Sequence, residues 1–232
     1  MKYFYDLHIH SALSPCGDND MTPNNIVNMS LIKGLDIIAV TDHNTCGNVG
    51  AVLAAAEGKI TVVPGMEVET AEEIHVVCYF PTLLQAEKME KAVQEHLPAI
   101  PNRPDIFGNQ YYMDAEDEII GEAETLLVSA TTLSLSDVFS LAKEYAGVAV
   151  PAHIDRSSYS VLSNLGAIPP DLEIGALEIT ARNRKTMEAD YARYHILTSS
   201  DAHYLEDIAE PVYQLDILSK NAEEVVKFLC SF

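Results

Sequence analysis

Short apolar runs alternate with amphipathic stretches along most of this chain, and each run has the length of one strand. Residues 3–10 (YFYDLHIH) alternate and are rich in aromatics, as a first strand would be. Thr22-Pro23 opens a helix, with threonine as the cap and proline in the first helical position. Ile26, Met29 and Ile32 form its apolar face, and Gly34 is its stop. Residues 35–40 (LDIIAV) then read as a parallel strand buried on both faces. The pattern continues with a helix over 49–57, strands over 60–63 and 74–80, and a helix over 83–96 that turns Leu84, Met89 and Val93 inward. A helix over 137–146, strands over 147–150, 176–180 and 196–199, and a closing helix over 221–231 complete it. About seven strands alternating with helices predict an α/β fold, a distorted (β/α)7 TIM-like barrel.

One segment breaks the rhythm. Residues 98–132 hold Pro98, Pro101 and Pro104 and then QYYMDAEDEIIGE, the pattern of a small hairpin with an acidic turn. A departure of that length within a barrel reads as an insertion and a possible lid. Residues 1–232 otherwise read as a single barrel domain.

The formal net charge is −21, with no cluster of lysine or arginine. A surface of that sign repels a phosphate backbone, so no long nucleic acid is expected as a partner. No run approaches the roughly 18 apolar residues of a membrane span, and no secretory signal is visible, so no membrane association is expected. Cys16, Cys46, Cys78 and Cys230 form no CxxC pair, which fits a reduced, cytoplasmic protein. The pattern leaves the oligomeric state unknown.

Chemistry concentrates where the apolar runs end. His8 and His10 lie two apart on a strand, so both imidazoles project the same way. His43 ends the next run, Glu67 follows Val62-Val63-Pro64-Gly65, His153 follows Val148 to Ala152, and Asp201 and His203 follow Leu197 to Ser200. Barrel enzymes carry their active groups at the C-terminal ends of strands, and these positions obey that rule. His75 is the exception, because it precedes its apolar run; its place in the set needs a strand that begins at Glu73 or earlier. Asp42, next to His43, reads either as a group orienting a neighbouring ligand or as the residue that closes the turn. Arg156, Arg182 and Arg184 fall near the same mouth, where their guanidinium forks would match phosphate oxygens. Tyr111 and Tyr112 either stack on a base or pack the insertion onto the barrel, and His96 and His195 match no motif.

The pieces DLHIHS (6–11), VTDHN (40–44), GMEV (65–68), IHVVCYF (74–80), PAH (151–153) and SSDAH (199–203) resemble, in order, the motifs of the polymerase and histidinol phosphatase (PHP) superfamily of metal-dependent phosphoesterases. The resemblance implies two to three divalent ions, of Zn, Mn or Fe. His8, His10, Glu67 and Asp201 would hold one; Glu67, His75 and His153 a second, with Glu67 bridging; His43, His203 and one residue of the loop after His10 a third. Counting back from Thr22-Pro23 makes that residue Asp18, whereas counting forward from His10 gives Cys16, with Asp20 a further alternative. Glu67, Asp42 and His43 are the candidate catalytic residues. Clustered cations lower the pKa of a water and take up charge on phosphoryl oxygens, so the expected activity is hydrolysis of a small phosphomonoester, with a nucleotide among the candidates. The alternatives are a phosphodiesterase or 3′–5′ exonuclease of the same superfamily and a metal-binding module without turnover. A metal-dependent amidohydrolase is disfavoured, because no lysine lies at a suitable strand end.

Overall fold

The computed structural model describes residues 1–231. Its elements, in chain order, are β1 (Lys2–Ile9), α1 (Pro23–Ile32), β2 (Ile37–Val40), α2 (Val49–Ala56), β3 (Thr61–Glu69), β4 (His75–Tyr79), α3 (Leu83–Glu95), α4 (Pro104–Phe107), β5 (Tyr111–Met113), β6 (Ile119–Glu122), α5 (Leu135–Glu144), β7 (Val148–Pro151), α6 (Val161–Leu165), β8 (Ala176–Glu178), α7 (Arg184–Met187), β9 (His195–Leu197), β10 (Gln214–Asp216) and α8 (Ala222–Cys230). The main sheet has six strands in the order β10-β1-β2-β3-β4-β7, and β8 and β9 form a separate parallel pair. The amide of His10 donates to the carbonyl of Ala202 at 2.9 Å, and that of Ile154 to the carbonyl of Glu178, also at 2.9 Å. These bonds stitch the β8–β9 pair to β1 on one side and to the end of β7 on the other, curling the sheet around a shared mouth.

Two features depart from a uniform β/α alternation. β4 runs antiparallel to both β3 and β7, because only residues 70–74 join it to β3 and a parallel crossover needs a dozen residues or more. β10 is an unforeseen antiparallel edge strand that pairs Lys2 with Asp216 and Phe4 with Gln214.

The helix patterns hold in outline and shift in phase. Thr22 caps α1, its side chain accepting from the amide of Asn25, but the buried face is Ile26 and Val27, and Ile32 is 80% exposed. In α3 the inward residues are Ala86, Met89 and Val93, and Leu84 stands in solvent. A one-residue drift is enough for the change in α1; in α3 Met89 and Val93 keep their places, and Leu84, five residues before Met89, falls off their face. Both faces of β2, β4 and β7 are buried, with Ile38, Val40, Val76 and Cys78 on the helix side and Ile37, Ala39, Val77 and Val150 inside the curl.

The segment 98–132 contains the short helix α4 and the β5–β6 hairpin, which pairs Tyr111 with Glu122. It rests on the loop after His10. The amide of Tyr111 donates to the carbonyl of Ala12, and Asn48 donates to the Tyr111 carbonyl while accepting from the Met113 amide. Tyr112 packs so closely over Gly47 that a Cβ there would lie 2.4 Å from its ring. Among the described residues no helix is long and apolar enough to cross a membrane.

Candidate metal centre

Six strand ends converge on one mouth. β1 carries His8 and leads into His10, β2 leads into His43, β3 carries Glu67, β7 leads into His153, and the turn after β9 carries Asp201 and His203. His75 joins them because β4 is antiparallel. The mouth that receives the C-terminal end of β3 receives the N-terminal end of β4, and Glu69 pairs directly with His75. Its position before the apolar run is therefore where the topology needs it. Four of the turns use left-handed backbone at a residue other than glycine: Asn44 with φ +54°, Glu73 with φ +57°, His153 with φ +28° and Asp201 with φ +54°. Such conformations cost about 1–3 kcal/mol and persist where surrounding contacts over-determine them.

Glu67 is the hub. His75 Nδ1 lies 3.1 Å from its carboxylate, His43 Nδ1 3.2 Å, His8 Nε2 3.3 Å, His10 Nε2 3.4 Å and His153 Nε2 3.5 Å. Asp201 Oδ1 approaches His10 Nε2 at 3.1 Å and His8 Nε2 at 3.3 Å. Three sets of ligand atoms lie within 4.8 Å of one another: His8, His10, Glu67 and Asp201; His43, Glu67 and His75; and His10, His43 and His203. Among the described residues, eight buried side-chain polar atoms have no hydrogen-bond partner. Six are here: His43 Nδ1, both Glu67 oxygens, His75 Nε2 and both His153 nitrogens. Orphaned buried groups cost about 1–3 kcal/mol each. Imidazole and carboxylate ligand atoms turned on one another in this way fit divalent cations.

The electrostatics of the chain without ions follow from this crowding. Burial lowers His75, but Glu67 and then Glu69 outweigh it and push the ring up to about 9. Burial likewise opposes the charging of His8, while Glu178, Asp201 and Glu67 hold it well above the ordinary histidine value. Burial would raise Glu67, yet His75 and His8 keep it well below the usual carboxylate range. His43 and His203 go the other way. Burial and the neighbouring His10 depress both, His203 to about 4.

Behind the ligand atoms sits a layer of carboxylates and hydroxyls. Asp42 is fully buried and accepts from the Ser11 amide, the Ser11 hydroxyl and the Ser14 hydroxyl at 2.6–2.7 Å. Ser14 Oγ in turn lies 2.9 Å from His10 Nδ1. Asp42 thus acts on His10 through Ser14, and closes the turn as well. Asp6 clamps the other side, accepting from Ser200 and from the Ala209 amide and so holding the loop that carries Asp201 and His203. Glu178, at the end of β8, lies 3.2 Å from His8 Nδ1. Neither Asp6 nor Glu178 stood out in the sequence, although Asp6 heads the DLHIH motif and Glu178 ends a strand as the other site residues do.

Some candidates fall outside. Asp18 joins none of the three sets; its Oδ1 accepts from the Asp20 amide, capping its own turn, while its backbone reaches the carbonyl of His203. Cys16 joins none of them either. Arg156 donates from Nη1 to Asp201 Oδ2 at 2.7 Å. With Arg182, Thr180, Val212 and Tyr213 it lines a cavity of about 670 Å³ that opens beside His153 and Asp201. Arg184 is not brought there. It donates to the Ile196 carbonyl and Thr198 hydroxyl, pairs with Glu188 and lies over Tyr213. His96 and His195 sit apart, against Thr132 and Ser231.

Comparison with known proteins gives the family and the fold. The PHP domain family matches residues 6–229. A 5′-3′ exoribonuclease of Haemophilus influenzae is 35% identical over 77 residues, covering 32% of this chain and 27% of that protein. Among solved structures, the lesion-specific endonuclease Q of Pyrococcus furiosus superposes with a TM-score of 0.74 at 20% identity, over 99% of this chain and 56% of that one. A two-domain protein of Bacteroides vulgatus containing a predicted PHP-like metal-dependent phosphoesterase superposes at 0.56 with 14% identity, over 99% of this chain and 63% of that one. The chain thus spans about a quarter of the curated relative and just over half of endonuclease Q. Endonuclease Q has also been solved with a 27-mer duplex substrate that carries an abasic lesion at the active site. This corrects the expectation that no long nucleic acid is a partner. That expectation rested on a net charge of −21, which describes the whole surface and not the charge at any one face of it.

Proposed function

The chain belongs to the PHP domain family, and we propose that it is a metal-dependent phosphoesterase that hydrolyses a small phosphomonoester. The observation that carries this reading is Glu67, buried, with ring nitrogens of five histidines within 3.5 Å and no hydrogen-bond partner of its own. His8, His10, Glu67 and Asp201 would hold one ion; Glu67 and His75, flanked by His43 and His153, a second; His43 and His203 would serve a third. Bound there, the ions would supply an acidified water and offset the charge on phosphoryl oxygens. The chain's own residues do the rest. Glu67 brings its carboxylate to the middle of the set. Asp42, through Ser14, aims the outer nitrogen of His10 away from it. Arg156 and Arg182 offer guanidinium forks to an anionic group in the adjoining cavity. That cavity, at about 670 Å³, has the size of a pocket for a small ligand. We read the seven strands around the mouth as a distorted (β/α)7 barrel, and the 98–132 segment as a lid that limits substrate size.

A second reading is a phosphodiesterase or nuclease, favoured by the fold shared with endonuclease Q and by the exoribonuclease relative. One experiment separates the two. Protein of known metal content, supplied with Mn²⁺, is offered nucleoside monophosphates and other monoesters, a bis-ester such as bis-p-nitrophenyl phosphate, and a duplex with an abasic site. Release of phosphate from the monoesters alone supports the phosphatase. Cleavage of the bis-ester or duplex, with monoesters untouched, replaces it with the nuclease. Turnover of neither by protein that holds its ions leaves a binding module.

A further inference from the structure

We infer that Glu178 is a positioning residue for the metal centre: it sets the tautomer of His8 and holds the strained backbone of His153, and so governs affinity for the ion on the His8 side. The inference rests on the metal-centre reading above. Glu178 is the sole contribution of β8 to the mouth and is 3% exposed. Both of its oxygens lie 3.2 Å from His8 Nδ1. That nitrogen faces away from the cluster, because Nε2 of the same ring is the atom 3.3 Å from both Glu67 and Asp201. A carboxylate behind Nδ1 accepts the proton of the neutral ring there and leaves the lone pair on Nε2, facing the shared donors. Without it, the proton is free to sit on Nε2, and the ring then presents a donor where a ligand lone pair is needed.

The second contact is independent of the first. Glu178 Oε1 accepts from the backbone amide of His153 at 3.1 Å, and its carbonyl accepts from the next amide, Ile154, at 2.9 Å. His153 is the residue with φ +28°. A buried carboxylate on its N–H fixes this unfavourable conformation and keeps the ring beside Glu67. One side chain therefore orders residues from β1 and from the turn after β7. Yet it joins none of the sets of atoms close enough to share an ion, so its action runs through the histidines.

The test compares Glu178→Ala and Glu178→Gln with the wild type by elemental analysis after dialysis against increasing chelator. Phosphate release is measured alongside, and thermal unfolding of the stripped proteins checks the fold. Partners behind metal ligands are worth about 10- to 100-fold in affinity. E178A should therefore give up the ion on the His8 side at about 10- to 100-fold less chelator than wild type, and the ion beside His153 somewhat early, while an ion on His43 and His203 leaves at the wild-type concentration. A purely structural role would weaken all of them together. E178Q, whose amide oxygen still accepts from Nδ1–H, should fall between. Wild-type retention of every ion by E178A, or an even loss of all, overturns the inference. If E178A does not fold, E178Q is decisive: earlier loss of one ion supports the inference and an unchanged profile overturns it. Wild-type protein that holds no ion sinks the metal-centre reading and this inference with it, whereas a metal-loaded wild type with an unchanged E178A sinks this inference alone.

Discussion

Glu67 replaced by glutamine keeps its shape and loses its charge among five histidines. Glu67→Gln should lose bound metal and turnover together, by more than the 10- to 100-fold typical of groups behind the ligands. Elemental analysis and a rate on the same preparation check it, and a variant with full activity and full metal would remove Glu67 from the centre. The residue was legible in the sequence because it follows an apolar run, as His43, His153 and Asp201 do, and a strand end is a place that one-dimensional patterning can find. What sits behind a ligand is not legible in that way. Glu178 is a single glutamate at the end of a three-residue strand, like any surface carboxylate until the curl of the sheet brings it behind His8. Asp18, which joins none of the three sets, shows the converse case. Its spacing from the helix start suited a ligand, but an aspartate in a tight turn satisfies the nearby backbone amide first.

The elements explain why His75 could not be placed by counting. Hydrophobic runs carry no direction, so an antiparallel β4 looks the same as a parallel one, and only the five-residue link to β3 forbids a crossover. β10 was missed because three alternating residues after a loop give too little periodicity to read. The hairpin of the 98–132 segment was foreseen; its attachment was not. Asn48 donates to the Ser11 hydroxyl and to the Tyr111 carbonyl and accepts from the Met113 amide. Ser11 donates in turn to Asp42, so hairpin and metal centre share one hydrogen-bonded chain. Asn48→Ala should orphan buried groups on the hairpin and cost about 1–3 kcal/mol. Hydrogen exchange should quicken over residues 111–122, the metal content should stay at the wild-type level, and the KM for substrate should rise. Unchanged exchange there would mean that the Tyr111–Ala12 bond, the Asn24 contacts and Tyr112 packing hold the hairpin without Asn48.

For the molecule as a whole, the centre joins residues from β1, β3, β4 and the turns after β2, β7 and β9, so bound ions would tie most of the sheet at one end. In the chain without ions, protonated His8 and His75 partly stand in for them against Glu67 and Asp201. The sign of the pH dependence follows. The His75 value rises on folding from the ordinary 6.5 to about 9, so its stabilisation is complete below 6.5 and is lost as pH climbs through 9. Metal-free protein should therefore melt at progressively lower temperature between pH 6.5 and 9. Cations replace those protons, so the loaded protein should lose less over the same range. At neutral pH, Mn²⁺ or Zn²⁺ at 100 times its dissociation constant adds about 2.7 kcal/mol, which for a chain of this size raises the Tm by about 5–10 °C. The gap between loaded and stripped protein should widen as the pH rises, because the protons that compete for the same nitrogens are leaving. Calorimetric scans of both forms at pH 6.5, 7.5 and 9 measure it. A gap that narrows with pH would show that ions bind elsewhere than on these histidines, since only there do proton and cation compete for one lone pair.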